Sequence, residues 1–98
     1  MKNMKKTVWN VVRDMKQAEK HFKASAHAWE ARNNRKMEQG EYDRYEKREN
    51  DQAKKGAAIL SEYGFTCDWP GLYPTFSRNG HTFYDLNGVM SQIPVSSY

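Results

Sequence analysis

The chain has 98 residues, of which 38% are hydrophobic and 29% are charged, and 16 Lys and Arg exceed 12 Asp and Glu to give a formal net charge of +4. This length accommodates one domain with a small core. No apolar run approaches the ~20 residues of a membrane span, the basic start lacks the apolar segment of a secretory signal, and a single cysteine, Cys67, excludes an internal disulfide. A lone thiol is typical of a reducing compartment, so we expect a cytoplasmic location.

The positive charge is concentrated at the start of the chain. Residues 1–29 contain seven Lys and Arg against only Asp14 and Glu19, whereas residues 30–55 are nearly balanced and residues 56–98 are net negative. The excess of base therefore belongs to the first third of the chain. A surface that attracts an acidic partner is expected there.

The first predicted element is a long helix over residues 4–38, a stretch without Gly or Pro. Its apolar residues recur at steps of three and four, and at ~100° per residue they share one face. They are Met4, Val8, Val11, Val12, Met15, Ala18, Phe22, Ala26 and Trp29. The spacing by sevens of Val8, Met15, Phe22 and Trp29 indicates packing along a partner helix.

That partner is a second helix predicted over residues 41–63, between Gly40 and Gly64. So short a connection makes the two helices an antiparallel αα-hairpin. The tip of the hairpin, residues 30–50, is rich in both signs of charge and is expected to project as a solvated stalk. The first helix overhangs the second at the other end, where only the C-terminal segment is left to cover its apolar face.

The C-terminal segment is predicted to form a loop over residues 65–71, a two-stranded β-hairpin over residues 73–86, and a short helix over residues 86–92. Asn79-Gly80 is the strongest short signal for a hairpin turn, and it places Phe76 opposite Phe83. Asp85 is expected to cap the short helix, and residues 95–98 to form a tail. The predicted fold class is α+β, mainly α: a long antiparallel αα-hairpin packed at its base against the β-hairpin and the final helix.

The sequence offers little for catalysis or metal binding. His21 and His27 are six residues apart and lie on different sides of a helix, where a metal site needs converging ligands. A nucleophilic Cys67 would need a base such as His81, and a lone cysteine is more often a small buried residue. No Gly-rich phosphate loop occurs. We therefore expect a protein that is not an enzyme and uses no cofactor or metal.

The candidate partner-binding surface is the polar side of the first helix. Its basic residues fall in an arc of ~100° opposite the apolar face, with Trp9 in the middle. The residues of this stripe are Lys2, Lys5, Lys6, Trp9, Arg13, Lys16, Lys20, Lys23 and His27. As a helix the stripe would run ~32 Å from Lys2 to Lys23, close to one turn of duplex DNA at ~34 Å. On the hairpin, Tyr73 and Tyr84 form a second candidate surface.

Several functions are compatible with these two surfaces. The plainest interpretation is a solvated helix face without a partner. The favoured hypothesis is a non-enzymatic protein that occupies an acidic surface of a larger protein, for example a phage or mobile-element inhibitor of a host nuclease or defence complex. Direct binding of DNA or RNA by the basic face is one alternative, and self-assembly as a structural homo-oligomer is another. A membrane-surface helix is disfavoured because the apolar face is needed against the second helix.

Overall fold

The computed structural model describes residues 6–33, 36–93 and 95–96, with side chains for residues 9–33 and 36–93. The elements in chain order are β1 (Lys6–Thr7), α1 (Val8–Asn33), α2 (Gln39–Glu62), β2 (Thr66–Asp68), β3 (Thr75–Arg78), β4 (His81–Phe83), α3 (Leu86–Ser91) and β5 (Val95–Ser96). The fold is α+β and mainly helical, as predicted, with the two long helices packed against each other.

Polar contacts show that α1 and α2 run antiparallel. The Tyr63 hydroxyl donates to Asp14, His21 Nδ1 lies 2.7 Å from Gln52 Oε1, and the Ser25 hydroxyl donates to the Glu49 carbonyl. Residues that come later in α1 therefore contact residues that come earlier along α2. The predicted αα-hairpin is confirmed.

The predicted bounds of the first helix, residues 4–38, were too wide. Lys6–Thr7 form a strand instead of a helical turn, and residues 36–38 are not helical. The side-chain amide of Asn33 donates to the Trp29 carbonyl at 2.8 Å, so it satisfies a carbonyl that the ending helix leaves open. Residues 4–5 and 34–35 of the prediction lie outside the described residues.

The second helix begins two residues earlier than predicted and includes Gly40. It ends at Glu62, where Gly64 adopts a φ of 86° as the C-terminal glycine. The Phe65 N–H bonds to the Leu60 carbonyl and the Gly64 N–H to the Ser61 carbonyl, which is the Schellman arrangement. This turn places Phe65 in the core, in the same buried cluster as Leu60.

The β-hairpin has the predicted turn and register, but its ladder is shorter than residues 73–86 and gains a third strand. Asn79 and Gly80 both have positive φ, and Phe76 pairs with Phe83. Tyr73, Tyr84 and Leu86 lie beyond the strand ends. The segment predicted as a loop contains β2, which pairs antiparallel with β3 and places Cys67 opposite Phe76. A third strand stabilises a hairpin that would be marginal alone.

The final helix is confirmed, although it ends at Ser91 and not at residue 92 as predicted. Its Asp85 cap is also confirmed, with the Gly88 N–H donating to Asp85 Oδ1 at 2.7 Å. The predicted tail was wrong for Val95–Ser96, which form β5 and pair in parallel with β1. This pairing satisfies backbone groups on both strands, and it explains why the helix begins only at Val8. Residues 97–98 lie outside the described part.

Arg78 joins the sheet to the ends of two helices. Its guanidinium donates to the Tyr63 carbonyl at the end of α2 and to the Gln92 carbonyl at the end of α3, and it lies 4.5 Å from the centre of the Phe65 ring. α3 and β5 pack against α1, whereas the sheet contacts α1 further along the helix, where Phe76 packs on Phe22. The core beneath them is formed by Val11, Met15, Ala18, Phe22, Leu60, Phe65, Phe76, Val89 and Ile93.

Candidate partner-binding face

The exposed face of α1 carries the candidate binding residues that the structure describes on this helix. Each is solvent-exposed, and they are Trp9, Arg13, Lys16, Lys20, Lys23 and His27. Trp9 is 75% exposed, so the C-terminal segment does not cover it. An accessible indole is the kind of side chain that can anchor a partner, since tryptophan is enriched among the residues that dominate binding energy.

The stripe is shorter as a helical feature than the sequence predicted. Lys6 belongs to β1, so the helical geometry does not continue to it, and its side chain is outside the described part. Lys2 lies outside the described residues altogether. From Trp9 to Lys23 the helical face extends ~21 Å, at ~1.5 Å per residue. We call the surface formed by these six side chains the basic face: Trp9, Arg13, Lys16, Lys20, Lys23 and His27.

Two acidic residues border the basic face. Arg13 lies 3.6 Å from Asp14, and Lys23 lies 3.8 Å from Glu19. Both pairs are long, and their cations are largely exposed although the Asp14 side chain is mostly buried, so each contributes at most about 1 kcal/mol. Within the described residues Lys16 and Lys20 have no ion pair, so the middle of the face keeps its positive potential.

The two surfaces that the sequence suggested separately meet at Lys23. A groove of about 190 Å³ is lined by Glu19, Phe22 and Lys23 from α1 and by Tyr73 and Tyr84 from the hairpin segment. Tyr73 is 55% exposed and Tyr84 is 79% exposed. Buried Pro74 and Phe76 hold this segment against α1. The basic face therefore continues into a pair of accessible tyrosines.

Sequence reasoning did not foresee this groove. The sequence pattern placed Tyr73 and Tyr84 on the hairpin as a candidate surface, but nothing in it showed where the hairpin would dock on α1. The docking is determined by Phe22, whose ring lies 5.7 Å from the ring of Phe76, centre to centre. A seven-residue spacing marked Phe22 as a core residue without identifying its partner.

Cys67 is poorly suited to act as a nucleophile. Burial, together with the neighbouring Asp68, raises the pKa of its thiol to about 11, so it remains protonated at neutral pH. β3 separates its strand from that of His81, which pairs with Arg78. Among residues 6–33, 36–93 and 95–96, no three His, Cys, Asp or Glu side chains converge as metal ligands.

In the described part of the chain, neither long helix is sufficiently apolar to span a membrane. Comparisons with models of protein families, with curated proteins and with solved structures found no match to this chain.

Proposed function

We propose that this protein is a non-enzymatic binding protein that docks the basic face of α1 on an acidic surface of a larger protein. The observation that carries the proposal is the 75% exposure of Trp9 at one end of a row of exposed cations. Charge of one sign draws an acidic surface toward the face and orients it. The aromatic side chains then supply the contact energy.

Trp9 and the tyrosines at the other end are suited to act as anchors. Tryptophan, tyrosine and arginine dominate the energy of protein interfaces. The two aromatic side chains bury much area with only two rotatable bonds each. Burying the exposed part of Trp9 is worth roughly 3–5 kcal/mol before the costs of association. An inhibitor that covers part of a nuclease or of a defence complex is one narrower form of this proposal. The lone, protonated thiol of Cys67 is typical of a protein in a reducing compartment, which we propose to be the cytoplasm.

Capture from a lysate of the source cells, with and without nuclease, tests the proposal against direct nucleic-acid binding. We expect the immobilised protein to retain acidic proteins that nuclease treatment does not release. Fluorescent duplex DNA, titrated with the chain over a salt series, provides the second readout. The proposal predicts no saturable binding of duplex at about 50 mM salt, where a nucleic-acid-binding face would be detected.

The opposite result is equally specific. If the captured proteins are released by nuclease treatment and duplex DNA binds with a log–log salt slope of about −4, one for each cation on the described face, the basic face binds nucleic acid. That outcome would replace the acidic protein partner with DNA or RNA.

A further inference from the structure

A second groove lies on the other side of α1, between the two helices and the loop after β2. Its volume is about 840 Å³, within the ~300–1,000 Å³ typical of ligand sites. Trp29 and Trp69, each 40% exposed, line it together with Ala26, Ala53 and Ala57. Trp29 is about 160° around α1 from Trp9, so this groove is separate from the basic face.

The groove is held in shape by the core. The ring of Trp69 makes an edge contact with Phe22 at 6.0 Å between centres, and Phe22 belongs to the central cluster. Ala26 is buried, and the hydroxyl of Ser25 donates to the Glu49 carbonyl across the two helices. A site formed by packed elements loses little freedom when it is occupied.

Uncompensated charge at the groove is positive. Glu49 accepts a hydrogen bond from Arg32 Nε at 2.8 Å, and this bond raises the pKa of the Arg32 guanidinium, so the Glu49 carboxylate is already paired. Lys54 lines the groove, is exposed, and has no ion pair among the described residues. Exposed Asn50 adds an amide that can both donate and accept.

We infer that this groove is a second binding site, and that it takes a peptide segment in which aromatic and aliphatic side chains stand beside an acidic residue. The two indoles and the alanines receive the apolar side chains, and Lys54 faces the carboxylate. The groove is partly open to solvent, so a peptide can enter and leave it. The site is independent of the proposed function because it shares none of the residues of the basic face.

The test uses three peptides and the isotope-labelled protein in solution. The first, acetyl-Ser-Asp-Phe-Leu-Asp-Ser-amide, carries both features. The second replaces each Asp with Lys, and the third replaces Phe-Leu with Ala-Ala. We expect the first to shift the indole N–H signals of Trp29 and Trp69 and to leave that of Trp9 in place. Each of the other two should bind at least about tenfold more weakly.

Two charge variants sharpen the result. Lys54→Glu should reverse the preference between the Asp and Lys peptides. Lys55→Glu changes a neighbour that is also exposed but does not line the groove, and it should leave the preference unchanged. The inference is overturned if the three peptides bind alike, if the shifts centre on Trp9, or if no shift appears up to about 5 mM peptide. None of these outcomes depends on whether the basic face binds an acidic protein.

Discussion

Replacing Lys16, Lys20 and Lys23 by Glu is expected to weaken binding of the captured acidic partner by at least about 100-fold, which corresponds to roughly 3 kcal/mol. All three side chains are exposed on α1 and remote from the core, so the fold should survive the change. Among the described residues, the substitutions break one long ion pair, between Lys23 and Glu19, which stabilises the helix by a few tenths of a kcal/mol. Titration calorimetry at about 150 mM salt measures the effect without long-range steering.

The matched control places the same charge change elsewhere. Lys36, Lys47 and Lys55 are also exposed, and replacing them by Glu moves the net charge by the same amount. We expect this control to bind within about threefold of the unmodified protein, since more distant charges are screened. Equal losses of affinity in the two triple variants would mean that the net charge, and not the basic face, governs binding.

Gly56→Ala is expected to lower the free energy of unfolding by about 2 kcal/mol, although alanine normally stabilises a helix by about 1 kcal/mol relative to glycine. A Cβ at this position would lie 2.5 Å from Cε1 of Phe22 and 2.8 Å from its Cδ1 and Cζ. The Phe22 ring cannot turn away freely because Phe76 and Trp69 pack against it. Urea unfolding followed by circular dichroism provides the measurement.

The same substitution at Gly40 is the control, because it lies in the same helix with nothing within 4 Å of an added Cβ. Gly40→Ala should leave stability unchanged or raise it by up to about 1 kcal/mol. Adding Phe22→Leu to Gly56→Ala should recover part of the stability, since the smaller side chain gives way. If Gly56→Ala is as stable as Gly40→Ala, Phe22 does not rest on Gly56.

Local periodicity accounts for the parts of the fold that were predicted correctly. The three- and four-residue spacing of Val11, Met15, Ala18 and Phe22 defines a helix face before any partner is known, and all four are buried. The hairpin turn was equally predictable because Asn79-Gly80 suits positive φ at both residues. These elements were predictable because their own residues, without a distant partner, indicate the structure they form.

The strands that were missed have no such signal. β1 and β5 are two residues each and join segments about 90 positions apart, and β2 has three residues. Strands this short show no alternation that can be told from a loop, and their formation depends on a partner brought near by the rest of the fold. The predicted first helix began too early for this reason, since Lys6–Thr7 find a strand partner in the C-terminal segment.

The candidate site likewise has one part that the sequence predicts and one part that it does not. The arc that holds Trp9, Arg13, Lys16, Lys20 and Lys23 follows from helical geometry alone. The sequence left open whether the C-terminal hairpin would bury Trp9, which is exposed in the structure. The approach of Tyr73 and Tyr84 to Lys23 depends on tertiary docking and was not predictable.

Trp29 shows how far the pattern can mislead. Its seven-residue spacing assigned it to the buried seam, yet it is half-exposed at the groove it shares with Trp69. The sequence pattern identifies the side of α1 on which Trp29 lies. It does not show how far the covering loop extends.

The most direct test of the basic face as the binding surface is fluorine NMR of the protein labelled with fluorotryptophan, recorded as the captured partner is added. The chain has three tryptophans, and Trp9 and Trp29 lie on opposite sides of α1, so one spectrum contains both the probe and its control. Docking through the basic face predicts that the Trp9 signal shifts on binding while the Trp29 signal keeps its position. A Trp9 signal unchanged by a saturating partner, with Trp29 or Trp69 shifted instead, would contradict the proposed binding surface.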